Sequence, residues 1–153
     1  MELTELHFIV LAGLFSTLTL SLFDRVARSM GFLCLSLTRI IGSFFTSSGK
    51  KPSFSTWCIH LFSGLFFAFL YAFVLKGIPN LSQYTLEYLF AGALLGSLHG
   101  LVFTFLFYAL FTEKSSLRKY KKFGFRVGFF HFCGHVIYGL SFGFFYMLMM
   151  GLQ

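Results

Sequence analysis

The chain alternates between long apolar stretches and short polar, mostly basic ones, and this alternation sets the architecture. Three stretches, 54–75, 86–111 and 127–150, contain one charged residue between them, Glu87. A helix crossing a hydrocarbon core of roughly 30 Å needs about 20 residues at 1.5 Å each, so each stretch predicts a transmembrane helix. A fourth run, 7–23, lies at the short end of the spanning range, which tilt or local thinning of the bilayer accommodates. It does not read as a signal peptide. Glu2 and Glu5 precede it where such a peptide carries Lys or Arg, and Asp24-Arg25-Val26-Ala27-Arg28 follows it in place of a small-residue cleavage site. A fifth segment, 31–45, is apolar but short and contains Arg39, so it predicts an interfacial helix lying along the membrane. Ser47-Ser48-Gly49-Lys50-Lys51-Pro52 closes that segment, and Lys76-Gly77-Ile78-Pro79 closes the next helix.

The second and fourth helices repeat one another. Cys58, His60, Gly64, Leu65, Phe67, Phe69 and Tyr71 recur as Cys133, His135, Gly139, Leu140, Phe142, Phe144 and Tyr146 in one register. A Phe-rich chain matches itself at Phe by accident, but not at Cys, His, Gly and Tyr together. The predicted fold is therefore an all-α membrane protein of four transmembrane helices, arranged as two tandem, duplicated helical hairpins, 7–75 and 86–150, within a single membrane domain. Each unit has two spans, so both have the same orientation and the repeat axis runs along the membrane normal. Ala12-Gly13 of the first helix aligns loosely with Ala91-Gly92 of the third.

Composition agrees with a membrane location: 57% of residues are hydrophobic and 11% charged, against about 25% charged in an ordinary globular chain. Of the 12 Lys and Arg, Arg25, Arg28, Arg39, Lys50 and Lys51 lie between the first two helices. Lys114, Arg118, Lys119, Lys121, Lys122 and Arg126 lie between the last two. Only Lys76 lies between the second and third. The positive-inside rule then predicts that both rich segments are cytoplasmic and both termini outside. The net charge of +7 is accounted for as a sorting signal at helix ends, and nucleic acid is not an expected partner. Arg118, Lys119, Lys121 and Lys122 are also candidates for holding anionic lipid headgroups.

Candidate chemistry centres on histidines. With about 100° between successive residues, His60, Gly64, Phe67 and Tyr71 form one stripe, and His135, Gly139, Phe142 and Tyr146 another. Cys58 and Cys133 fall on different faces from the histidines, so they do not converge with them on a zinc ion. Cys34, Cys58 and Cys133 form no C-x-x-C and read as buried packing residues. His99 adjoins the Gly92, Gly96, Gly100 stripe of the third helix, which marks a tight helix contact. His60, His135, His99, Tyr71 and Tyr146 are thus the candidate ligand-binding residues. Structural hydrogen bonding, proton or ligand handling, and a bis-histidine haem b on His60 and His135 all fit the pattern. Tyr71 and Tyr146 near the outer surface also read as aromatic-belt anchors. Beyond Glu87 at the border of the third, no carboxylate falls within the four predicted spans, and neither a phosphate loop nor H-E-x-x-H is present. Enzymatic activity is not expected.

The repeated H-x₃-G-x₆-Y helices, Gly13-Leu14-Phe15-Ser16-Thr17 and Leu98-His99-Gly100 together resemble the YagU-like families of small bacterial inner-membrane proteins. The resemblance implies the bacterial cytoplasmic membrane and no established activity. The expected role is a non-enzymatic accessory or assembly subunit, or a small transport component, of a membrane complex. A cytochrome-b-like redox module and a carrier with its path on the pseudo-twofold axis are the alternatives. The many glycines and small residues on helix faces suggest a homo-oligomer or larger complex.

Overall fold

A computed structural model of the chain describes residues 3–32, 54–78, 85–114 and 125–151, with side chains described for 86–106 and 127–151 of the last two segments. All regular structure among them is helical: α1 Leu3–Ser29, α2 Phe54–Lys76, α3 Thr85–Lys114 and α4 Phe125–Met150. Each is long and apolar enough to cross a membrane. The segment 31–45 lies outside the described residues from 33 onward, as do Arg118, Lys119, Lys121 and Lys122.

The largest departure from expectation is α1, which runs through Asp24 to Ser29 instead of ending near Phe23. The reason is local. Asp24 and Arg28 stand one helical turn apart and pair at 3.1 Å, which favours continuing the helix. It stops at Gly31, whose φ of +74° suits glycine alone among common residues. Phe32 N–H donates to Ala27 O at 2.8 Å and Gly31 N–H to Arg28 O at 3.0 Å, a Schellman closure. Asp24 is consequently buried inside the bundle, and Glu5 lies in the first turns of the same helix. The expectation that no carboxylate falls within a span is corrected on both counts.

Neighbouring helices are antiparallel, as their contacts show. Glu5 near the start of α1 pairs with Lys76 at the end of α2, while Ser21 near the end of α1 meets His60 near the start of α2. α4 packs closely on α3 and on α1, α1 packs on α2, and α2 approaches α3 chiefly through side chains. The outer faces carry Phe62, Phe66, Phe73, Phe90 and Phe105, all strongly exposed. Such a surface suits lipid and would be a large apolar patch in water.

The two hairpins interlock at matching levels, in four-residue steps. In the first, Gly13 faces Ala68, Thr17 faces Gly64, and Ser21 bonds His60. In the second, Gly92 faces Gly143, Gly96 faces Gly139, and Gly100 lies against His135. The second contact is the closer one, because glycine meets glycine and backbone touches backbone. Gly134 takes Leu20 and Phe23 of α1 in the same manner. These glycines face helices of their own chain, so they are accounted for without a partner. Ser16, Thr17 and Thr19 donate to the carbonyls of Ala12, Gly13 and Phe15, one turn back on their own helix.

Candidate functional site

Four histidines from three helices occupy the bundle interior. His60 of α2 is buried, and its Nε2 lies 3.2 Å from Ser21 Oγ. Ser21 already donates its single hydroxyl proton to Thr17 O at 2.9 Å. A serine has one such proton, so the His60 imidazole is the donor in their contact. Thr17 back-bonding, Ser21 orientation and the His60 tautomer therefore form one chain of dependence along α1.

His135 occupies the corresponding place in the second hairpin, but Gly100 stands where Ser21 would be. With no hydroxyl opposite, His135 turns to two other imidazoles. Its Nε2 lies 3.3 Å from Nε2 of His131, one turn back on α4. Its ring centroid lies 4.2 Å from that of His99 on α3. One of the paired Nε2 atoms must carry the proton and the other accept it, so the tautomers of His131 and His135 are complementary. The Nδ1 of His135 is buried and has no hydrogen-bond partner among the described residues.

His99 links this group to α2. Its Nδ1 is 3.1 Å from the hydroxyl of Tyr71, and its ring stacks on Phe67 at 3.8 Å between centroids. Phe103 packs edge-on against the same ring. These contacts bridge α2 and α3, whose backbones otherwise stand apart. Tyr138 closes the opposite side: its hydroxyl donates to Gly64 O at 2.6 Å, and its ring meets Tyr71 edge-on. A glycine leaves its own carbonyl accessible to such a donor.

The sequence-predicted residues thus divide in two. His99, His135 and Tyr71 come together in one interior network, while His60 is buried against Ser21 of α1. Tyr146 lies further along α4, where its hydroxyl donates to Glu5 at 3.4 Å. Both tyrosines are 2% exposed, so they are interior groups and not belt anchors. Tyr71 of α2 and Tyr138 of α4 meet edge-on between those two helices. Gly64 and Gly139, which a porphyrin would need open, are filled by Thr17 and by the α3 backbone. Nothing in this packing favours the bis-histidine alternative. No three His, Cys, Asp or Glu among the described residues are placed to hold a metal ion.

Sequence reasoning missed Ser21, Asp24 and Tyr138 as part of this interior, while Phe142 already stood on the stripe with His135. His131, one turn from His135, reads from sequence as a possible member of a ligand pair or as an interface residue, and Tyr138 carried a similar signal of proximity. Ser21 carried none that points across helices. No family model, curated protein or solved structure matches this chain.

Proposed function

We propose that this chain is a small transport component of the membrane that handles protons through its interior, without other chemistry. The observation that carries this reading is the meeting of His99, His131 and His135 inside the bundle, with His135 Nδ1 buried and without a hydrogen-bond partner among the described residues. Structural histidines end with their nitrogens satisfied, because a buried unpaired group costs about 1–3 kcal/mol. A titratable pair with a vacant nitrogen is suited to accepting and passing a proton. Ionisable groups inside a membrane commonly mark such pathways. Asp24 and Glu5, both within α1, add carboxylates that such a pathway can use.

The test is proton flux into vesicles containing the purified protein, driven by a potassium diffusion potential and read with a pH-sensitive dye. Wild-type protein should conduct above protein-free vesicles. His135→Leu should fall to their level, while His7→Leu, which changes an exposed residue outside the network, should match wild type. Wild-type flux no greater than that of empty vesicles would sink the reading.

The finer architecture is proposed on the same footing. Two duplicated hairpins account for the matching steps Gly13–Ala68, Thr17–Gly64 and Ser21–His60 against Gly92–Gly143, Gly96–Gly139 and Gly100–His135. The segment 31–45 is assigned to the membrane interface. The distribution of Lys and Arg places both basic segments in the cytoplasm and both termini outside. The resemblance to the YagU-like families assigns the membrane as the bacterial inner one. Reporter fusions at Lys119 and Gln153 should read opposite compartments, and the same compartment for both would refute the four-span topology.

A further inference from the structure

The interior holds a second polar group, separate from the histidines. At the end of the bundle that carries the start of α1, Glu5 pairs with Lys76 of α2 and accepts from Tyr146 of α4. Tyr88 of α3 packs beside Tyr146, with ring centroids 6.3 Å apart. Lys76 is half-exposed, so water reaches this group from that end, while Glu5 itself is largely buried.

A single aromatic layer divides this group from the histidine network. Phe142 is completely buried. Tyr146 stacks on it at 5.4 Å with the rings 13° from parallel, and Tyr71 meets it edge-on at 5.7 Å. The two tyrosine hydroxyls point away from each other, Tyr71 toward His99 and Tyr146 toward Glu5. Ala68 and Ala72 of α2 and Ala12 of α1 are buried in the same core. A phenyl ring neither donates nor accepts a proton, so the polar column is broken at this one level.

We propose that Glu5, with Tyr146 and Lys76, is a second proton-exchanging site, and that Phe142 is the barrier separating it from the histidine site. This rests on the proton-handling reading above. When Phe142 turns aside, water can join the two hydroxyls. Glu5, having taken a proton from hydronium at the exposed end, gives it to Tyr146 as Tyr146 passes its own to the first water of a short file; each water hands one proton on, and the last protonates Tyr71 as Tyr71 donates to His99. Only O–H and N–H bonds are exchanged, and no electrons are transferred.

The same vesicle assay tests this in phosphatidylethanolamine–phosphatidylglycerol membranes. Phe142→Ala should raise proton flux over wild type by about tenfold, the effect of lowering a barrier by about 1.4 kcal/mol. Phe142→Tyr fills the same space but adds a hydroxyl to the layer, so it should also raise flux even if the alanine variant folds poorly. Phe145→Ala removes equal bulk from the contact with Phe15, away from the column, and should match wild type. Adding Glu5→Gln to either conducting variant should return flux toward the wild-type level. Phe142→Ala and Phe142→Tyr both matching wild type in folded, equally reconstituted protein would overturn the proposal. A silent wild type with conducting Phe142 variants would leave the barrier standing and remove the transport role. A conducting wild type abolished by His135→Leu, with Phe142 variants unchanged, would do the reverse.

Discussion

Gly139→Ala is expected to destabilise the folded bundle by about 3 kcal/mol, the upper end of the usual penalty for overpacking. A methyl group at this position would collide with Gly92 O and lie 2.9 Å from both Cα and N of Gly96. All three obstacles are backbone, so no rotamer change relieves them and α3 must move off α4. Gly96 and Gly143 sit in the same contact and face carbonyl oxygens of His135 and Tyr88, which leaves no direction for a small slide. Gly151→Ala serves as the control, since its nearest neighbour would be Met147 O at 3.5 Å, an ordinary contact. Unfolding by sodium dodecyl sulfate, followed through Trp57 fluorescence or helical circular dichroism, measures both. A Gly139→Ala midpoint equal to wild type would show that α3 and α4 are not held at this distance.

Gly64→Ala should destabilise by about 2 kcal/mol, and Thr17→Gly should recover much of that loss. The added methyl would overlap Thr17 Oγ1 and come within 3.1 Å of its Cγ2. Thr17 cannot yield freely, because its hydroxyl donates to Gly13 O at 2.8 Å. Removing the threonine side chain frees the space that the new methyl needs, as Gly96 does opposite Gly139 in the second hairpin. Thr17→Gly alone weakens the helix, yet the pair should show a favourable coupling of about 1–2 kcal/mol, within the range for residues in contact. Strictly additive penalties would mean that Thr17 and Gly64 do not meet, and would remove the shared register on which the duplication rests.

The span lengths were legible because lipid imposes a single requirement, enough apolar residues to cross, and composition reports it directly. α2 was expected over 54–75 and is found over Phe54–Lys76. The end of α1 was not legible in the same way. Hydropathy falls at Asp24, but a helix ends where its backbone loses partners, and Asp24 with Arg28 carries it on to the Gly31 cap. The burial of Asp24 was lost with that boundary. The tyrosines show a different failure. Their place on the histidine–glycine stripe already aimed Tyr71 and Tyr146 inward, and the belt reading used their depth while ignoring their direction. The pairing of His135 with His99 was out of reach, because a helix wheel orders residues around one axis and is silent on how neighbouring helices are shifted along theirs. Ser21 opposite His60, with Gly100 opposite His135, depends on that same shift.

The Glu5–Lys76 pair joins the first turns of the chain to a residue made much later. Glu5 also sits where the positive end of the α1 dipole favours an anion, and Lys76 where the negative end of α2 favours a cation. During synthesis the carboxylate reaches its side of the bilayer while the lysine has yet to be translated. The first hairpin can fasten at its open end only after the whole of α2 has crossed to the correct depth. A helix that stops a turn short leaves both charges stranded at unequal levels in a poorly hydrated layer, which disfavours the misinserted form. The ion pair in this sense favours α1 and α2 lying at matched depths. The second hairpin, whose α4 has no lysine or arginine in its last turn, must rely on glycine contact to find its register.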